Sequence, residues 1–210
     1  SEFACELGIN IPTGKDSLSM TQKYGDEKVY SPGTVIISAG AEVSDVKKVV
    51  SPVLVNNAKT SIFHIDFSFD SHKLGGSALG QVLNKLGDEV PTVKYPEYFR
   101  DAFNAVQDLI NKNLVLAGHD ISAGGLITAL LEMTFANVDG GISVNLDGIE
   151  EDDLVKILFA ENPGILIQVA DKKVVQTILE ENGIGYAIIG QPCEERHVMV
   201  EKDGISYQFG

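Results

Sequence analysis

The chain has 210 residues, no tryptophan and a formal net charge of −14. A field of that sign repels nucleic acid and anionic membrane surfaces, so an anionic ligand needs local help from a metal ion, a lysine or backbone N–H groups. Cys5 and Cys193 are too few for a disulfide framework, no apolar run approaches membrane-spanning length and no signal peptide is visible, which together fit a reducing, cytoplasmic setting.

The first residues read as the last turns of a helix, with Phe3 and Leu7 on one face and Gly8 past its end. No initiator methionine precedes them, and the chain is expected to be a piece of a longer polypeptide, cut inside an element. Extended segments follow over residues 9–43, with a polar hairpin around Tyr24-Gly25-Asp26 and a buried strand over 34–41. The pattern then changes. A strand is expected at 62–67 and a helix at 76–86. A second helix at 96–111 has an apolar face of Phe99, Phe103, Val106 and Ile110. Strands at 114–118, 142–146 and 165–169 alternate with helices at 122–136, 151–159 and 171–181. Short strands at 186–189, 198–201 and 205–209 close the chain. Such alternation predicts an α/β fold, a mixed sheet covered by helices.

The most informative stretch is Gly118-His119-Asp120-Ile121-Ser122-Ala123-Gly124-Gly125, where a strand run meets a helix pattern. Free N–H groups and the positive end of the dipole at a helix start favour an anion, and an acid beside it suits a metal–phosphate site. The competing reading is that Asp120 or Ser122 merely caps the helix, and that His119 is a hydrogen-bonded structural residue. In Thr13-Gly14-Lys15-Asp16-Ser17, Gly14 allows close backbone approach, Lys15 offers a phosphate-pairing charge, and Asp16 could meet a metal or orient the lysine. The spacing is not that of a G-x-x-x-x-G-K-[ST] loop, and a solvated turn is the alternative. Leu74-Gly75-Gly76-Ser77 suggests close helix packing. Glu161, beside the Pro163-Gly164 turn, is expected to bond backbone N–H groups of that turn. His64 reads as core or a satisfied partner, and no nucleophile constellation stands out.

Four motifs in order resemble the large form of the phosphoribosylformylglycinamidine synthase family: Ile11-Pro12-Thr13-Gly14-Lys15-Asp16-Ser17-Leu18-Ser19-Met20, Leu74-Gly75-Gly76-Ser77-Ala78-Leu79, Gly118 to Leu126, and Leu158-Phe159-Ala160-Glu161-Asn162-Pro163-Gly164. The resemblance spans nearly the whole chain and is to the second of two synthetase repeats. It implies a fold like the C-terminal domain of aminoimidazole ribonucleotide synthetase. Residues 1–54 would be the tail of an N-terminal-type synthetase domain, 55–205 the C-terminal-type domain, and 206–210 the start of a linker. The implied activity is an ATP-dependent ligase of purine biosynthesis that converts formylglycinamide ribonucleotide and glutamine to the amidine, with ATP and Mg²⁺ as cofactors. The implied partners are missing domains of the same polypeptide, the first synthetase repeat and a glutaminase domain. On position, Asp120 resembles a Mg²⁺ ligand and Ser122 and Lys15 ATP contacts, while Gly14, Asp16, Ser17 and His119 would line the cleft. The family's third motif often reads His-Asp-x-Ser-Asp-Gly-Gly. Ala123 stands here at the second acid, so a shell built on both carboxylates is not available. The piece alone is expected to be inactive. Other readings are another ATP-using enzyme of the same fold, such as aminoimidazole ribonucleotide synthetase, selenophosphate synthetase or thiamine-phosphate kinase, or a non-catalytic nucleotide-binding module.

Overall fold

The computed structural model describes residues 2–15, 20–31, 33–43 and 45–209. They divide into two compact units between Val46 and Lys47, earlier than the boundary expected after residue 54.

The first unit holds helix α1 (Glu2–Glu6) and the hairpin of β1 (Thr21–Tyr24) and β2 (Glu27–Tyr30). Gly8, behind the helix, and Gly25, in the hairpin turn, both adopt positive φ, as a helix stop and a tight turn require. The strand expected at 34–41 does not form. Val35, Ile36 and Ile37 are exposed at 85, 86 and 72%. An apolar run becomes a strand only against a partner. Among the described residues β1 and β2 pair only with each other, and no hydrophobic side chain of this unit is buried.

The second unit is built on a seven-stranded sheet. Its strands are β3 (Ser61–Asp66), β4 (Val115–Ile121), β5 (Gly141–Asn145), β6 (Gly164–Val169), β7 (Tyr186–Cys193), β8 (Val198–Lys202) and β9 (Ile205–Phe209), in the order β4-β6-β3-β7-β5-β8-β9. All neighbours are antiparallel except β5 and β8. The expected mixed sheet is therefore present. β9 pairs with β8 from Val198↔Phe209 to Lys202↔Ile205, so the residues expected to begin a linker stay in the sheet.

Alternation along the strands feeds two cores. Ile62, Ala117, Ile121 and Leu166 pack with α4 (Gly125–Phe135) and α5 (Leu154–Phe159). Phe63, Ile65, Ile167 and Val169 pack with α3 (Pro96–Asn111) and α6 (Lys172–Glu181). Helices thus cover both faces. The bounds of α3 are those its periodicity predicts, but its buried face is turned. Ala102, Ala105, Val106 and Leu109 go inward and Phe103 stays 49% exposed. Two alanines let the helix backbone approach the sheet more closely than phenylalanine would. The helix expected at 76–86 shrinks to α2 (Ala78–Val82). Asn84 and Gly87 at positive φ and the bond from Lys85 N to Gly80 O close a turn behind it. Asp153 and Asp171 cap α5 and α6 through their side chains. Buried Gln168 acts as a surrogate strand edge: it accepts from Val55 N (2.9 Å) and donates to Val55 O and Thr60 Oγ1 (both 2.8 Å).

Candidate functional site

β4 outlasts its prediction. Pairing with β6 continues through His119↔Leu166, Asp120↔Ile165 and Ile121↔Gly164, so His119 and Asp120 sit on the strand rather than past its exit. Alternation then separates them. His119 shares a face with Ala117 and Ile121, and its Nε2 lies 3.0 Å from Glu132 Oε2 on α4. Its Nδ1 lies 2.7 Å from the Asp120 carbonyl oxygen and 3.7 Å from Asp120 Oδ1. The Asp120 side chain is 77% exposed. It lines a hollow of about 320 Å³ with an apolar floor that includes Val115, Ile165 and Ile167.

Ser122 does not cap α4. Its carbonyl accepts from Gly125 N (3.0 Å), and the helix starts three residues later than expected, behind Gly124 as N-cap. The two glycines are obligatory. Both have positive φ, 91° and 74°. A Cβ on Gly124 would lie 2.2 Å from Thr128 Oγ1, and one on Gly125 2.6 Å from Leu158 O. Ser122 and Ala123 are left exposed on the turn this creates.

The N–H groups are answered from elsewhere. Glu161 Oε1 accepts from Gly124 N (2.8 Å) and also from Ala78 N (2.7 Å). The carboxylate does bond backbone N–H groups, but those of two other segments and not of its own turn. One oxygen joins the motifs at 74–79, 118–126 and 158–164. Next to it, Asn162 is buried. Its Nδ2 donates to Ser68 Oγ (3.0 Å) and to the carbonyls of Ser71 (3.2 Å) and Asp70 (3.4 Å), while its Oδ1 is buried without a protein partner among the described residues. The sequence had not pointed to Asn162; an amide before Pro-Gly reads as turn chemistry.

A polar cleft of about 500 Å³ opens at the carboxyl ends of β3 and β5, lined by His64, Asp66, His72, Glu151 and Tyr186 among others. His64, expected as core or a satisfied partner, is withdrawn from water and borders this cleft. Burial holds its imidazole down at about 4, against an opposing pull from Asp66, and burial also lowers His72. Burial pushes the Cys193 thiol up, which disfavours its thiolate.

Gly14 and Lys15 are exposed residues of the first unit, and a Cβ on Gly14 would meet nothing. Asp16 and Ser17 lie outside the described residues. Among the described residues no three His, Cys, Asp or Glu side chains converge on a metal position. The described residues thus form no self-contained cage. A single exposed carboxylate does fit a magnesium ion held mainly by phosphate oxygens and water.

Residues 68–203 match the model of the family described as AIR synthase related protein, C-terminal domain. The chain belongs to this family. Residues 1–42 match the FGAR-AT PurM_N-like domain. The probable phosphoribosylformylglycinamidine synthase of Caenorhabditis elegans is 40% identical over 95% of the chain, and the probable chloroplastic/mitochondrial enzyme of Arabidopsis thaliana 38% over 99%. The human phosphoribosylformylglycinamidine synthase is 38% identical over 82%. These relatives carry the name that the four motifs suggest. The chain spans 16, 15 and 13% of their respective lengths. Among solved structures, Thermotoga maritima PurL complexed with ATP superposes with a TM-score of 0.59 at 17% identity, covering 78% of this chain and 27% of that one. The same protein complexed with FGAR gives 0.60 at 17% identity, covering 78 and 29%. These establish a shared fold for this AIR synthase-related domain. No helix among the described residues is long and apolar enough to cross a membrane.

Proposed function

We propose that this chain supplies part of a magnesium–nucleotide site in an ATP-dependent ligase of purine biosynthesis, which forms formylglycinamidine ribonucleotide from formylglycinamide ribonucleotide with glutamine as amide donor. The observation that carries the reading is the placement of Asp120. Its carboxylate stands exposed on a strand, two residues before a turn whose glycines fix Ser122 toward solvent. The names of the relatives and the nucleotide complexes of PurL support the same reading.

In this reading Asp120 gives magnesium one hard oxygen ligand, and Ser122 offers its hydroxyl to the nucleotide. When bound, the metal would neutralise charge on the phosphate oxygens during transfer. His119, held between Glu132 and the Asp120 carbonyl, fixes the orientation of the strand end. Lys15 and Gly14, with Asp16 and Ser17, are assigned to the nucleotide or substrate cleft from their motif. Residues before the second unit would be the tail of an N-terminal-type synthetase domain. The cleft would be completed by further domains of a longer polypeptide, the first synthetase repeat and a glutaminase domain, so this chain alone would be inactive. A reducing compartment such as the cytoplasm suits its two free cysteines.

The test is Asp120→Asn in the full-length polypeptide, with Mg·ATP affinity measured by calorimetry. Loss of a charged ligand is worth about 1.5–3 kcal/mol, so affinity should fall at least about tenfold. Unchanged affinity would overturn the assignment.

A further inference from the structure

The loop that joins β7 to β8 brings together side chains that the nucleotide reading does not use. β5 lies between those two strands in the sheet, so residues 194–197 cross over its first residue. Only glycine fits beneath the crossing: a Cβ on Gly141 would lie 2.0 Å from His197 O and 2.4 Å from Glu195 O. Ile142 N donates to His197 O and His197 N donates to Glu195 O, both at 2.9 Å, and these bonds pin the loop.

Three donors meet there. Cys193 Sγ lies 4.0 Å from His197 Nε2 and 3.4 Å from the carbonyl oxygen of Glu195. A tetrahedral zinc ion, with bonds of about 2.3 Å to sulfur and about 2.0–2.2 Å to nitrogen or oxygen, holds such donors about 3.6 Å apart. The sulfur and the carbonyl are already close to that spacing, and the sulfur and the imidazole need to close by about 0.4 Å. The other ring nitrogen, Nδ1, lies 3.5 Å from Glu195 Oε2. A carboxylate at Nδ1 favours the tautomer with its proton there and leaves the lone pair on Nε2, the nitrogen beside the sulfur, which is how a metal-binding histidine is ordinarily backed. The His197 side chain is 12% exposed and Cys193 is half-buried, so the donors are held in place and one side stays open to water.

We propose that Cys193 Sγ, His197 Nε2 and the Glu195 carbonyl oxygen form a site for a thiophilic divalent cation of the zinc class, with water as the fourth ligand. Two of the donors are side chains and the third is backbone, which sets the site apart from a cage of three acidic, histidine or cysteine side chains. Soft sulfur with imidazole selects zinc over magnesium, whereas the single hard carboxylate of Asp120 has the opposite preference. Burial favours the protonated thiol, and the cation displaces that proton to water as the sulfur becomes its ligand. The bound ion would tie the end of β7 to the start of β8 and so stabilise the native sheet.

The experiment titrates the reduced full-length polypeptide with Co²⁺ in excess Mg²⁺, which fills hard-oxygen sites, and then competes with Zn²⁺. The near-ultraviolet sulfur-to-cobalt charge-transfer band reports a thiolate ligand. Relative to wild type, Cys193→Ser should lose one equivalent of that band, and Cys5→Ser, which removes the exposed thiol of the first unit, should lose none. His197→Gln should lower zinc affinity at least about tenfold through loss of a ligand, and Glu195→Gln, which keeps the carbonyl, about tenfold through the imidazole it orients. Zinc should raise the thermal midpoint of wild type and not that of His197→Gln. A band and zinc affinity unchanged in Cys193→Ser would mean adventitious ions only and overturn the proposal. A band lost in Cys193→Ser with zinc affinity unmoved in His197→Gln would mean a thiol acting alone, and overturns it equally. Should Cys193→Ser not fold, His197→Gln, placed outside the strands, decides the matter by the same affinity.

Discussion

His64 gives the second unit a pH dependence that sets in at pH 6.5, above the range where ordinary carboxylates titrate. Its imidazole is held at about 4 against an ordinary 6.5, chiefly because the cleft wall withdraws it from water. Asp66 pulls the other way without winning, and His72 adds to the depression. The sign follows from proton counting. Between pH 6.5 and 4 the unfolded chain takes up a proton that the native chain refuses, so stability falls as pH falls. Above 6.5 both states are neutral and the contribution is fully present. A displacement of this size corresponds to about 3 kcal/mol, at about 1.4 kcal/mol per pH unit. His72, also lowered by burial, adds to the same slope. Asp70 does not, because the hydrogen bond from Lys73 holds its carboxyl below the usual range and its contribution is lost only in stronger acid. With no tryptophan in the chain, urea unfolding followed by far-UV circular dichroism at pH 7, 6, 5 and 4.5 is the assay. Wild type should lose stability steadily below pH 6.5, and His64→Gln should retain only the shallower slope left by His72. Identical pH profiles for the two proteins would refute the reasoning.

Two further outcomes concern stability. Gln168→Ala removes the side chain that pairs with Val55 and Thr60 and leaves a cavity at a fully buried position; we expect a loss of roughly 2–4 kcal/mol in denaturant unfolding, moderated because Val55 is partly solvated. Gly125→Ala places a methyl 2.6 Å from Leu158 O at a φ of 74°, where L-residues are strained. We expect a drop of at least about 2 kcal/mol, read as a lower thermal midpoint, and an unshifted midpoint would show that the turn relaxes.

Much of the second unit was legible because its elements are locally consistent. Pro96 at the first helical position and an unbroken helical period mark α3 to the residue. Asp171 opens the helix expected at 171–181 and caps it, whereas the helix expected from 151 starts three residues later, behind its cap Asp153. What failed needed a partner that sequence does not name. The apolar run at 34–41 has the composition of a strand, but a strand is a relation between two segments. β4 was cut short at Gly118 because Gly, His and Asp are poor strand formers, yet its ladder with β6 overrides that preference. The α3 stripe was weighted toward large side chains, whereas close approach to the sheet selects Ala102 and Ala105. Around residue 120 the residue types were legible and their geometry was not. An acid, a hydroxyl and two glycines were visible around residue 120. The distant carboxylate that closes their turn was visible only as Glu161 in a separate loop.

The position of β4 explains how one acid can stand on a strand without disturbing a core. β4 is the last strand of the sheet, and Gly118 N bonds Ser51 O along its outer side. Its neighbour β6 is buried almost throughout, so an acid there would need a paired charge or a raised pKa to be tolerated. On β4 the cost is small: Asp120 remains largely in water while Ile165 and Ile167 supply the apolar floor beside it. That economy also limits the site. With Ala123 at the neighbouring exposed position, the strand end contributes a single carboxylate, and a hard cation held there, as proposed above, would draw its other ligands from phosphate and water. A site of one carboxylate holds a bare ion weakly and a phosphate-bound ion well.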